Sequence, residues 1–160
     1  VLKKHCTMKT RHFLLSLVLC SGLGACNQSD ETCLDLDTTA SFTVNGTAFA
    51  VTHTPVWTSD GIYQSLGFRH DIAGGGQELV TIIFEGDTVG EYPLAGVSSP
   101  HKGTYMGPAS SNNILFTGPQ QSGTLTITDI DLNGGCLSGN YSYTADYVQI
   151  TGEFQSLRPQ

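Results

Sequence analysis

Gly123-Thr124-Leu125-Thr126-Ile127-Thr128 sets an apolar side chain at every second position, the period of a β-strand with one face in a core. Leu125 and Ile127 point inward and the threonines point out. Leu137 to Ala145 repeats the pattern, with Leu137, Tyr141, Tyr143 and Ala145 on one face and Ser138, Asn140, Ser142 and Thr144 on the other. Val148, Ile150 and Phe154 then line a last strand. Strands this close in sequence pair antiparallel, because short connections cannot make a parallel crossover.

The same grammar extends toward the N-terminus. Leu79-Val80-Thr81-Ile82-Ile83-Phe84 is the most apolar run of the body and suits a central strand. Phe42-Thr43-Val44, Asn45-Gly46 and Thr47 to Val51 form a hairpin signature, since Asn-Gly supplies the positive φ of a two-residue type I′ turn. Val56-Trp57-Thr58 reads as a short edge. Ile62 to His70 reads as a strand with Ile62, Leu66 and Phe68 on one face and Tyr63, Ser65, Gly67 and Arg69 on the other. Thr88 to Leu94, Thr104 to Met106 and Ile114 to Thr117 supply further short strands, with Pro93 marking an edge. No helical period follows the first 25 residues. The expectation is an all-β domain over 41–160, a single antiparallel β-sandwich, with a lipocalin-like β-barrel as the alternative.

Ahead of that domain the chain obeys other rules. Lys9, Arg11 and His12 follow Met8, then comes the apolar run Phe13 to Cys20, then the small residues Ser21, Gly22 and Gly24. A run this short cannot span a bilayer, which needs about 20 residues, and the order of parts is that of a signal peptide. Leu23-Gly24-Ala25-Cys26 reads as a lipobox. Residues 1–25 are therefore expected to be a leader, with Met8 its true start, and Cys26 is expected to carry lipid. Several acyl chains, at about 0.8 kcal/mol per buried methylene, make a stable anchor where one is marginal. Residues 26–40, with Asp30, Glu31, Asp35 and Asp37 among polar neighbours, read as an acidic tether.

Loss of the leader removes Lys3, Lys4, Lys9 and Arg11 and leaves three basic residues against all 14 carboxylates, a formal charge of −11. Such a surface repels phosphate backbones, so nucleic acid is disfavoured as a partner. Cys33 and Cys136 are the two cysteines left for the body. They form either a disulfide or two free thiols, and a bond closing so long a loop would contribute about 4 to 5 kcal/mol.

These residues carry a resemblance. Gly123 to Asp129, Leu137 to Tyr143 and Val148 to Phe154, with the early hairpin Phe42 to Gly46, resemble small Bacteroidetes lipoproteins of unknown function. Gln28-Ser29-Asp30-Glu31 is similar to the acidic signals that follow the lipid cysteine in surface-exported lipoproteins of that group. The resemblance implies a β fold and a cell-envelope home, and the lipid anchor makes the outer membrane or cell surface the expected place. The resemblance brings no catalytic residues.

Other constellations carry less. Asp129, Asp131 and Asn133, with Gly134, reproduce the first half of a calcium loop, but Asn140 stands where the bidentate Glu belongs, and a β-turn uses the same residues. The hairpin reading ranks above calcium. His53, His70 and His101 are too scattered to define a zinc site, and Gly74-Gly75-Gly76 lacks the Lys-Ser/Thr of a phosphate loop. Trp57, Tyr63, Tyr92 and Tyr105 make either a binding platform or core. The leading functional expectation is a non-enzymatic ligand-binding or accessory envelope lipoprotein, its partner an envelope protein or a glycan. The alternatives are a carboxylate-dependent hydrolase acting on glycans, and a carrier of a small hydrophobic ligand.

Overall fold

A computed structural model describes residues 37–96, 98–107, 115–116, 121–133 and 135–160. They form eleven strands: β1 (Thr39–Val44), β2 (Thr47–Ala50), β3 (Val56–Ser59), β4 (Tyr63–Asp71), β5 (Gln77–Glu85), β6 (Gly90–Leu94), β7 (Lys102–Met106), β8 (Leu115–Phe116), β9 (Gln121–Asp131), β10 (Cys136–Ala145) and β11 (Val148–Leu157). One sheet runs β2-β1-β11-β10-β9-β6 and the other β3-β4-β5-β7-β8, the last only two residues long. Every ladder is antiparallel. Each sheet ends in two edge strands and neither closes on itself, so the domain is a β-sandwich and the barrel alternative is not formed.

The inner faces follow the alternation. Leu125 and Ile127 of β9, Tyr141 and Tyr143 of β10 and Ile150 and Phe154 of β11 are buried against Leu66 and Phe68 of β4 and Val80, Ile82 and Phe84 of β5. Aromatic rings bridge the layers: Phe68 lies 5.4 Å from Tyr141 and 5.7 Å from Phe154, centroid to centroid, and Phe84 lies 4.9 Å from Tyr92. Each such ring removes about 150 to 250 Å² from water, which makes these side chains the main weight of the core. Gly152 sits opposite Tyr141 in the β10–β11 ladder, and a Cβ there would run into the Tyr141 ring.

Turn chemistry sets the register where the sequence indicated. Asn45 and Gly46 take φ of 49° and 80°, the left-handed pair of a type I′ turn, and pair Val44 with Thr47. Pro93 lies on β6, which pairs with β9 at the edge of its sheet among the described residues, the kind of strand that tolerates proline. β5 is the middle strand of its sheet.

Two expectations need correction. Ile62 does not face the core: it is 60% exposed in the turn before β4, and the inward series is Gln64, Leu66 and Phe68. Gln64 is tolerated inside because its Oε1 accepts the Trp57 indole N–H at 2.8 Å. The sheet also takes the chain two residues before Ser41, with Thr39 opposite Gln155 and Ala40 opposite Phe154. Ser138 keeps the outward side expected of it, opposite Asp129 in the β9–β10 ladder, yet is buried there beside the register shift at Gly139. Ser138 Oγ accepts the N–H of Ser156, itself at φ 54°.

The two sheets are also stitched at their margins. The His70 ring donates from Nδ1 to the Ala50 carbonyl at 2.7 Å. Thr52 N–H donates to the Arg69 carbonyl at 2.9 Å, so the chain leaving β2 runs on along β4. At the C-terminus Pro159 bridges Trp57, and Gln160 N–H donates to the Trp57 carbonyl at 3.0 Å.

Candidate functional site

Alternation along β3, β4, β5 and β7 turns a second set of side chains away from the core, onto the outer face of the five-stranded sheet. At one end of that face the β3–β4 turn and the β6–β7 loop rise on either side of a groove of about 780 Å³. Its floor is Ser65 and Ile83; Tyr63, Thr58 and Asp60 line one side, and Ser98 to Pro100 and Lys102 the other.

Both walls are held by local hydrogen bonds. Asp60 Oδ1 accepts the N–H groups of Tyr63 at 2.7 Å and Ile62 at 3.0 Å, which fixes the turn and presents the Tyr63 ring, 42% exposed. Those two bonds, the one from Tyr63 first, hold the Asp60 carboxyl below the usual aspartate range. Opposite, Glu85 N–H donates to His101 Nδ1 at 3.1 Å, His101 N–H donates to Ser99 Oγ at 3.1 Å, and Ala95 N–H donates to the His101 carbonyl at 3.2 Å. The His101 ring stands edge-on to Tyr92 at 5.5 Å.

Among the described residues, several polar groups inside the groove have no protein partner. Thr58, Ser65 and Ser98 make no side-chain hydrogen bond among the described residues, and the half-buried Lys102 makes no ion pair. Lys102 lies opposite Ile83 in the β5–β7 ladder, and neither Glu85 nor Asp60 pairs with it. The arrangement offers an ammonium, unengaged hydroxyls and one aromatic face to a single solute.

Two smaller recesses lie elsewhere. One, of about 470 Å³, is on the far end of the same face, lined by His53, Val56, Gly67, Arg69 and Leu79. Here Asp71 accepts from Arg69 Nε at 2.8 Å and pairs with His53 Nε2 at 2.5 Å, contacts that lower its pKa, the one to His53 more. The other, of about 410 Å³, lies beside the β10 bulge and contains Asp129 and Glu153. These acids sit on β9 and β11 with β10 between and out of register, Asp129 opposite Ser138 and Glu153 opposite Asn140, so their backbones are more than about 9.5 Å apart.

Cys26 and Cys33 lie outside the described residues. Cys136 is buried and disulfide-bonded. Asp129 and Asp131 are the last outward residues of β9, and Asp131 Oδ1 accepts Asn133 N–H at 2.9 Å, so the segment closes the β9–β10 hairpin. No group of three or more metal-ligating side chains occurs among the described residues. His101 stands apart from His53 and His70, in the groove wall. Of the four aromatics, Trp57 at 2% exposure, Tyr92 and Tyr105 are core, and only Tyr63 faces a ligand space. Sequence reasoning missed Lys102 and the serines of the β6–β7 loop. Their one signal was a lysine opening a strand in an acidic body.

No family model, curated protein or solved structure matches the chain.

Proposed function

We infer that the protein is a lipid-anchored envelope lipoprotein, facing the cell surface, whose sandwich binds a small polar solute without converting it. The groove between the β3–β4 turn and the β6–β7 loop carries this reading, because it gathers unpartnered hydrogen-bonding groups beside a half-exposed ring on a rigid sheet. The core supports it too: it is filled by interlocking aromatic rings, which favours a surface ligand over one carried inside. The order of Lys9 to Cys26 supports the anchor.

The test is titration of the full chain in detergent micelles with a library of sugars, organic acids and amino acids, followed by amide resonances. Shifts confined to Ser65, Ile83, Lys102 and their neighbours are expected. If no solute moves them, the groove is not a ligand site. For the anchor, labelled palmitate is expected in the wild type and absent in Cys26→Ala; equal labelling refutes lipidation at that residue.

A further inference from the structure

The geometry points to a hydroxyl-rich carbohydrate bearing a carboxylate, an acidic sugar, as the class of ligand taken by the groove. This rests on the groove being a ligand site. Beyond residue 36 the chain has three basic residues against eleven acidic ones. A half-buried ammonium in such company would ordinarily hold a carboxylate, as Arg69 holds Asp71 at 2.8 Å. Lys102 holds none, although Asp60 shares its groove and Glu85 follows its ladder partner Ile83 by two residues on the same face. Asp60 is engaged in its turn through the bonds to Ile62 and Tyr63. The ammonium is thus left with donors and no anion, and a carboxylate on the ligand supplies one.

The rest of the groove selects the body that carries this carboxylate. Thr58, Ser65 and Ser98 present hydroxyls that both donate and accept, which matches a solute with several hydroxyls. The Tyr63 ring offers a flat apolar face, suited to the C–H face of a pyranose, and Ile83 provides an apolar floor. A simple organic acid would leave the ring unused, and a neutral sugar would leave the ammonium unused. The negative body of the protein does not forbid an anion here, because at physiological ionic strength charges beyond about 8 Å are screened and the contact pair decides.

The experiment is calorimetry on the full chain in detergent with trigalacturonic acid and its neutral counterpart galactotriose. The acid is expected to bind at least tenfold more tightly. Lys102→Gln should bring the two sugars level, Lys102→Arg should keep the preference, and Tyr63→Ala should weaken both about tenfold. Circular dichroism of each variant verifies its fold. Equal wild-type affinities, both reduced by Tyr63→Ala, would overturn the acidic preference and leave the groove a sugar site. A preference that survives Lys102→Gln would also overturn it. If neither sugar binds while another solute moves the groove resonances, this inference fails alone; if no solute moves them, both readings fail.

Discussion

Two tyrosines on one strand carry opposite burdens. Tyr143 donates its hydroxyl to the Thr104 carbonyl at 2.9 Å, across the sandwich. Tyr141, two residues earlier and 2% exposed, has no partner for its hydroxyl among the described residues. A buried hydroxyl without a partner loses its water and gains nothing, at a cost of about 1 to 3 kcal/mol. Tyr141→Phe is therefore expected to be neutral or stabilising, while Tyr143→Phe should cost about 1 kcal/mol, both read by urea denaturation. A Tyr141→Phe loss matching that of Tyr143→Phe would contradict the assignment. At this scale the sequence was only partly legible. Alternation correctly set Tyr141 and Tyr143 on the inner face, since an aromatic among serines leaves one choice. It carried the inward face one step too far, to Ile62, which has the same parity as Gln64, Leu66 and Phe68, because the Asp60 turn fixes where the strand begins; Trp57 satisfies the glutamine. Tyr63 and Lys102 meet only through strand pairing, so nothing local in the sequence joins them.

Among elements, β7 shows how a side chain of one sheet is bonded to the backbone of the other. β8 pairs with Tyr105 and Met106, and among the described residues no strand pairs with Gly103 on that side. Gln121, at the start of β9 in the other sheet, reaches it instead. Its Oε1 accepts the Gly103 N–H at 3.2 Å and its Nε2 donates to the Gly103 carbonyl, so one side-chain amide stands in for a strand residue. Gly103 must itself be glycine: a Cβ there would come within 2.6 Å of the Tyr143 ring. Gln121→Leu keeps the volume and removes both bonds, stranding a buried peptide group, and should cost about 2 to 3 kcal/mol. Protection of the Gly103 amide against hydrogen exchange should fall with it. Unchanged protection in the variant would show that the amide bridge does not hold this edge. The sequence reading began this strand at Gly123, because Gly118 to Ser122 carries turn residues; the inward Gln121 is recognisable only once β7 is opposite it. The Asn45-Gly46 hairpin needed no such context, since its turn geometry is written in two residues.

For the molecule as a whole, the same tyrosines set the alkaline limit of the fold. Burial, aided by the Glu78 carboxylate that accepts its hydroxyl, raises the Tyr105 pKa. Burial raises those of Tyr143 and Tyr141, each helped by a neighbouring phenol, Tyr105 for the first and Tyr143 for the second. A phenol whose pKa is raised in the folded state binds its proton more tightly there than in the unfolded chain. Its contribution is complete below the ordinary tyrosine value of 10.0 and is lost as pH climbs beyond it. Tyr141 and Tyr143 are deeply enclosed, so each should remove up to about 1.4 kcal/mol per pH unit above that point. Because both lie where the two sheets meet, neither can ionise without parting the layers. Tyrosinate absorbance and circular dichroism are therefore expected to change in one cooperative alkaline step, shifted to higher pH in Tyr141→Phe. Complete, reversible ionisation of all six tyrosines with the β signal intact would show that the interface is not sealed in this way.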